Sequence, residues 1–180
     1  VEKTWFTYKI ATSALKELTK NKVFFNELHD SPSTPRAYGV AGWTKDDTSL
    51  ILYDRFDIWE FNPETGKGNR ITKGRENNTV YRYVRLDREE QYLNPKNKWL
   101  FSTFNEKTKA SGYYQYNPKN NKGKQLIEGD YNYSRIQKAI LDDAIVFTRE
   151  SVTEFPEIRY SNHNFKNPVK ISAANPQQSA

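Results

Sequence analysis

Hydrophobic positions fall in short runs of four to eight residues, rich in Val, Ile, Tyr, Phe and Trp and cut by Asn, Asp, Gly and Pro. Runs of that length and composition, bounded by turn formers, predict strands. They are placed at 6–10, 15–19, 37–43, 49–54, 57–62, 69–72, 79–86, 98–105, 111–117, 124–128, 134–140, 144–150, 155–160 and 168–172. Helical spacing is nearly absent. "SALKELTK" (13–20) has some helical propensity, but its place in the repeat described next predicts a strand.

The runs recur. "IWEFNPETGKGNRIT" (58–72) matches "YYQYNPKNNKGKQLI" (113–127), with Pro63 and Pro118 55 residues apart. A third copy is "IRYSNHNFKNPVKIS" (158–172), and a partial one is "FTYKIATSALKELT" (6–19). The segments before them also repeat, as "GWTKDDTSLILYD" (42–54), "LNPKNKWLFSTFN" (93–105) and "AILDDAIVFTRE" (139–150). Each unit reads as four antiparallel strands, and a period of about 45–55 residues is near that of propeller blades. The expected fold is therefore all-β: a partial β-propeller with about three complete four-stranded antiparallel blades plus a partial blade. The boundaries are 1–19 for the partial blade and about 35–74, 79–129 and 134–172 for the full ones, with 173–180 as a tail. Pro63 ends the third strand of its blade because proline cannot donate to a ladder. Ile51, Tyr53, Trp59, Leu100, Ile145 and Phe147 are the expected buried positions, and Trp43 and Trp99 are expected in the core beside Trp59.

Composition narrows the function classes. Of the 180 residues, 36% are hydrophobic and 14% aromatic, which suits strands packing flat side chains better than a Leu- and Ala-rich bundle. No run approaches the roughly 20 apolar residues of a membrane helix. The absence of Cys excludes disulfides, thiolate nucleophiles and Cys-based metal sites. The net charge of +6 is scattered among acids and Asn, as in "NEKTKASG", so neither a nucleic-acid stripe nor a membrane-binding patch is expected. The chain begins at Val1 and contains no Met, which reads as processing or excision from something longer.

The stretch "PRAYGVAGWTKDDTSLILYDRFDIWEFNPETG" (35–66) resembles the β-propeller of bacterial prolyl oligopeptidase-family serine peptidases, including dipeptidyl peptidase IV-like enzymes. "FPEIRYSNHNFKNPVKISAANPQQ" (155–178) is similar to the last blade before such a chain crosses to its catalytic domain. The resemblance implies a propeller half that screens peptide substrates, a C-terminal α/β-hydrolase domain of the same parent chain as its partner, no cofactor, and a periplasmic or secreted location. The hydrolase nucleophile elbow is G-x-S-x-G, and none of the eight Gly frames one, so 1–180 is expected to be a non-catalytic piece with 173–180 leading toward the hydrolase.

Candidate chemistry is sparse. His29 lies in "ELHDS" beside Asp30 and Ser31, but neighbours in sequence do not make a triad. His163 has no partner evident in the sequence, and no metal pair is expected. Glu89 and Glu90, in "LDREEQY", are the candidate substrate-binding residues, because the resembled family uses an acidic pair from the propeller to hold a substrate amine. Arg36 and Tyr38 precede a blade and are candidates for a face toward a partner domain. "GKG" (66–68) lacks phosphate-loop spacing. Two other readings stay open: a propeller scaffold binding protein or cell-wall partners, and a sugar-active propeller with paired carboxylates. Exposed blade edges also predict homodimers, through exchange of N-terminal strands.

Overall fold

The computed structural model describes residues 3–179. Of the partial blade, residues 1–2 lie outside the described residues, as does residue 180 of the tail. The chain is all-β. A hairpin of β1 (Phe6–Lys9) and β2 (Ala14–Glu17) is followed by three four-stranded antiparallel sheets. The first holds β3 (Val40–Trp43), β4 (Leu50–Tyr53), β5 (Ile58–Phe61) and β6 (Gly68–Arg70). The second holds β7 (Thr79–Tyr83), β8 (Trp99–Asn105), β9 (Ser111–Asn117) and β10 (Lys122–Gly129). The third holds β11 (Asn132–Lys138), β12 (Ala144–Glu150), β13 (Glu157–Asn162) and β14 (Val169–Lys170). Each sheet follows chain order, the meander of a propeller blade. The stretch with helical propensity, 13–20, contributes β2 after a 3-10 turn at Ile10–Thr12, so register prevails over local preference. The only α-helical turn among the described residues is α1, Gly74–Asn77.

Two compact units divide the chain: Val1–Arg82 with Gln91–Asn97, and Tyr83–Glu90 with Lys98–Ala180. In the first, Leu18 and Phe24 pack on Leu50, Leu52 and Phe61. Phe24 meets Trp59 and Phe61 edge-on, at ring separations of 5.8 and 5.6 Å. In the second, Tyr113 and Leu100 pack on Ile145, Phe147 and Phe165, with the Tyr113 and Phe165 rings stacked 4.9 Å apart. Within each core the residues of one strand alternate, as Leu50 with Leu52 and Ile145 with Phe147, as the pleat requires, and Leu18, Phe24 and Phe165 join them from loops. Ile51, Tyr53, Leu100, Ile145, Phe147 and Trp99 are buried as expected. Trp59 and Trp43 are not: both are only partly buried. The Trp59 indole N–H bonds Asp54 Oδ2 at 3.0 Å, and Lys22 Nζ sits 5.7 Å from the ring centre, so the ring lies where its polar edge has partners.

One device recurs at the junction between the third and fourth strands of a blade. The amide of Ile58 donates to Thr72 Oγ1 at 3.0 Å, and that hydroxyl donates to the Asp57 carboxylate at 2.7 Å. The same offsets join Ile158, Ser172 and Glu157: the Ile158 amide donates to Ser172 Oγ at 2.8 Å, and the hydroxyl bonds Glu157 Oε2. They also join Trp5, Thr19 and Thr4: the Trp5 amide donates to Thr19 Oγ1 at 2.9 Å, and the two hydroxyls lie 2.8 Å apart. A side chain that accepts an amide and is itself bonded extends the ladder past its last backbone pair. By register, β1–β2 thus corresponds to β5–β6, with Phe6 opposite Glu17 as Trp59 is opposite Arg70.

In the second sheet the hydroxyl position is Ile127 and the acceptor position is Gly112. A bulge between Gln125 and Ile127 lets the backbone itself continue, pairing Ile127 with Tyr113 and Glu128 with Gly112. Gly112 has to be glycine, since a Cβ there would lie 2.0 Å from the Ile127 carbonyl oxygen.

Thr72→Val should lower unfolding free energy by about 1–3 kcal/mol, because it leaves the Ile58 amide and Asp57 without their shared partner. Gly112→Ala should cost about 1–3 kcal/mol as β9 and β10 are pushed apart. Urea unfolding followed by tryptophan fluorescence measures both.

Candidate functional site

Charged groups gather most densely in the first unit, where β4 turns into β5. Asp54 directly follows β4, and its Oδ1 accepts the amides of Phe56 at 2.9 Å and Asp57 at 2.6 Å. Two bonded amides make this a side-chain-mimicked turn, which aspartate forms readily. Asp57, fully buried, accepts the Gly74 amide at 2.5 Å and the Arg75 amide at 3.2 Å besides the Thr72 hydroxyl, with Arg70 Nη1 at 3.6 Å. Burial pushes its pKa above the ordinary aspartate value, and the bonds from Thr72, Gly74 and Arg75 pull against that shift.

Arginines complete the group. Arg75 grips Glu27 with both terminal nitrogens, at 3.1 and 2.7 Å, and covers the Phe56 ring at 5.2 Å. That grip holds its pKa above the usual arginine value. Arg82 Nη2 donates to the carbonyls of Asp54 and Arg55 at 3.2 and 3.1 Å, and its guanidinium lies 4.8 Å from the Tyr53 ring centre. Tyr38, a candidate for a partner-facing surface, accepts the Glu27 amide on its hydroxyl at 2.9 Å, and burial raises its pKa. Arg36 offers its carbonyl to the Asn26 amide at 2.8 Å.

The second unit contains the acidic pair. Glu90 accepts the Tyr83 hydroxyl at 2.6 Å and lies 4.0 Å from Arg85 Nε. Glu89 is exposed and lines a groove of about 650 Å³ with Arg85, Arg88, Ile136 and Lys138. The adjacent carboxylates therefore have different surroundings. Glu90 is tied to its own blade, whereas Glu89 fronts open space beside three cations. The densest bonding here is around Glu154, which binds Arg149 at 3.1 and 2.6 Å and Arg159 at 2.7 Å. Burial works against its charge, but the two guanidinium groups outweigh burial and leave its pKa below the ordinary 4.5.

His163 has a partner that the sequence did not indicate, and His29 meets its neighbour Ser31 and also Ser33. His163 Nδ1 bonds the exposed Asp143 carboxylate, and the His163 amide bonds the Asp143 carbonyl at 3.1 Å. His29 Nε2 lies 2.6 Å from the Ser33 carbonyl and 3.2 Å from the hydroxyls of Ser31 and Ser33, in an exposed loop. Among the described residues, no group of three His, Asp or Glu side chains is placed to hold a metal ion, and no helix is long and apolar enough to cross a membrane.

Asp54, Asp57, Glu154 and Glu157 are the carboxylates that sequence reasoning passed over. For two of them a signal existed. Asp57 stands 15 residues before Thr72 as Glu157 stands 15 before Ser172, at positions 100 apart.

No family model matches the sequence, and no curated protein matches it. Among the solved structures similar to it, two lyases share its fold. An oligogalacturonate lyase in complex with manganese aligns over 94% of this chain at 12% identity and a TM-score of 0.58. An oligogalacturonate lyase from Vibrio parahaemolyticus aligns over 94% at 9% identity and a TM-score of 0.57. TolB from Acinetobacter baumannii aligns at 14% identity and a TM-score of 0.48, over 94% of this chain and 37% of its own. The chain spans 46% of each lyase. The fold is that of part of a β-propeller.

The shifts of Glu154 and Asp57 have opposite signs in a pH titration of stability. The Glu154 pKa is lowered in the folded chain, so its stabilisation is full above the unfolded value and is lost as pH falls from 4.5 through the folded value. The Asp57 pKa is raised, so its contribution declines as pH rises from 3.8 through the folded value. Glu154→Gln should destabilise at pH 7 by about 1–3 kcal/mol, the range for losing a bond to a charged group, and should flatten the acid limb of a stability–pH profile. Urea midpoints between pH 3 and 7 test both signs.

Proposed function

We propose that the chain is a non-catalytic section of a β-propeller that limits, by size and shape, which peptides reach a hydrolase domain of the same parent polypeptide. The observation that supports this most is how the carboxylates are used. Asp54, Asp57, Glu154 and Glu157 accept bonds from amides, hydroxyls and guanidinium groups of their own blades. A general base or nucleophile has to aim an atom at substrate, and these side chains aim theirs at the fold. The resemblance of 35–66 and 155–178 directs the proposal toward a prolyl oligopeptidase-like parent, periplasmic or secreted.

In this proposal Glu89 is the better candidate of the acidic pair for contact with a substrate amine, since it fronts the groove while Glu90 is held by Tyr83. A second reading, a propeller scaffold for protein or cell-wall partners, is favoured by the same closed networks, because nothing in them requires a hydrolase beside them.

The deciding experiment begins by reading the gene beyond the codon for Ala180. If a hydrolase with G-x-S-x-G follows, the longer polypeptide should cleave chromogenic Xaa-Pro substrates and spare long peptides, and deleting 1–180 should expose long peptides to cleavage. Unchanged length selectivity after the deletion, or no hydrolase, leaves the scaffold reading. The purified 180-residue chain should neither turn over these substrates nor be labelled by a fluorophosphonate probe. Labelling of one serine, or turnover lost on changing His29 or His163, would place a catalytic site inside the blades.

A further inference from the structure

The connection from the first to the second strand differs among the three sheets. It spans 44–49 in the first and 139–143 in the third, but 84–98 in the second. The long connection contains no strand or helix of its own. A loop of about 12–15 residues or more without such structure is uncommon in a compact fold and is usually functional when ordered. Its first part, 84–90, lies in the second unit and supplies one wall of the groove that Glu89 lines. The other wall is the end of β11 with Ala139 and Ile140. Both walls come from sheets whose four strands are all present, so the groove is complete within this chain.

The groove has an apolar base, because Leu86 and Ile136 rest half-buried on the Leu100, Ile145 and Phe147 core. Its charged groups divide into those the fold already uses and those it does not. Asp87 Oδ1 accepts the Glu89 amide at 2.9 Å, and Glu90 takes the Tyr83 hydroxyl and faces Arg85. Lys138 Nζ donates to the carbonyls of Ala139 and Asp142, each at 3.1 Å, which fixes the ammonium without neutralising it. Arg88 and Glu89 are exposed, and no hydrogen bond or ion pair joins either side chain to another described residue. The Glu89 carboxylate and the Arg88 and Lys138 cations are thus left for a ligand. Charges of both signs on one apolar base match a zwitterion with an apolar middle, and Glu89 repels a purely anionic ligand. At about 650 Å³ the groove has the size of a small-molecule site, which runs from roughly 300 to 1,000 Å³.

We propose that this groove binds short peptides with both termini free, taking the C-terminal carboxylate between Arg88 and Lys138 and the amine at Glu89. The inference rests on the peptide reading above and adds to it the second end of the ligand, and hence its length. A guanidinium matches a carboxylate in plane and can bond both of its oxygens, so Arg88 carries the recognition of that end. Lys138 adds a point charge from the opposite wall. A long peptide cannot place both of its ends in one groove of this size unless it folds back on itself, so the site favours short peptides.

The test is an amide-resolved NMR titration of the 180-residue chain with Ala-Ala-Ala, its C-terminal amide, its N-acetyl form and inorganic phosphate. The free tripeptide should shift amides of 85–89 and 136–140, and blocking either end should weaken binding about 10-fold. Arg88→Gln should weaken the free tripeptide about 10-fold and leave the amidated one unchanged. Glu89→Gln should weaken the free and amidated forms and leave the acetylated one unchanged. Neither substitution removes a side-chain contact within the chain, so the remaining spectrum should match wild type. Amidation or Arg88→Gln without effect, with the Glu89→Gln loss intact, overturns the carboxylate contact and leaves the peptide reading standing. Phosphate binding as tightly as the tripeptide overturns the zwitterionic ligand. No shift with any peptide up to about 20 mM overturns the site itself, while the length selectivity of the longer polypeptide still decides peptide gating separately.

Discussion

The first amide of the third strand is the atom on which each blade depends. The strand before it ends in a turn, and the fourth strand returns beside it some 14 residues later. At that junction the ladder runs out of backbone partners. An amide left bare against an apolar neighbour costs about as much as a whole hydrogen bond. The Ile58, Ile158 and Trp5 amides are each met by a hydroxyl, and each hydroxyl is bonded in turn to the residue one before that amide. Because Thr72 donates to a buried carboxylate, it keeps its lone pairs for the Ile58 amide. The Asp57 carboxylate then takes two amides of the loop beyond, Gly74 and Arg75, so one side chain closes the hairpin and directs the exit to α1.

This arrangement explains why the charged cluster is structural in character. Asp57 is buried and ionisable, two properties that often mark catalytic groups. Its raised pKa comes first from burial, however, and its neighbours are backbone amides of its own blade. Asp54 has a similar role one turn earlier, holding Phe56, Asp57 and the Trp59 indole. The Trp59 bond also explains its partial exposure, because the N–H has to reach a carboxylate at the end of β4 while the ring packs on Phe24 and Phe61.

The strands were legible because their signal is local. Short aromatic runs and turn residues recur at a fixed period, and every predicted strand overlaps an observed one. The aligned copies 58–72 and 113–127 pair alike at Trp59 with Arg70 and Tyr114 with Gln125, up to the bulge after Gln125. Partners set by tertiary approach were not legible. Asp143 and His163 stand 20 residues apart at the two ends of the β12–β13 pair, and they meet only because Ala144 pairs with Asn162. Glu154 looks like any acid in a turn until β12 and β13 bring Arg149 and Arg159 to it. The adjacency of Glu89 and Glu90 was visible in the sequence, but their unequal surroundings follow from Tyr83, which approaches Glu90 from β7.

The position one residue before that amide is filled by Thr4, Asp57, Gly112 and Glu157 in the four copies. A hydroxyl, two carboxylates of different length and a residue with no side chain all satisfy one geometric demand. Thr4 and Thr19 do it by a hydroxyl pair, and Gly112 by letting a bulged backbone close in. The constraint acts on a hydrogen-bonding position and leaves the residue type free. Copies within one chain can therefore drift apart while the blade persists. What the blade cannot tolerate is a residue that neither bonds the hydroxyl nor yields to the backbone. A branched apolar side chain in place of Asp57 would do neither, and it would strand the Thr72 hydroxyl and the Gly74 and Arg75 amides together.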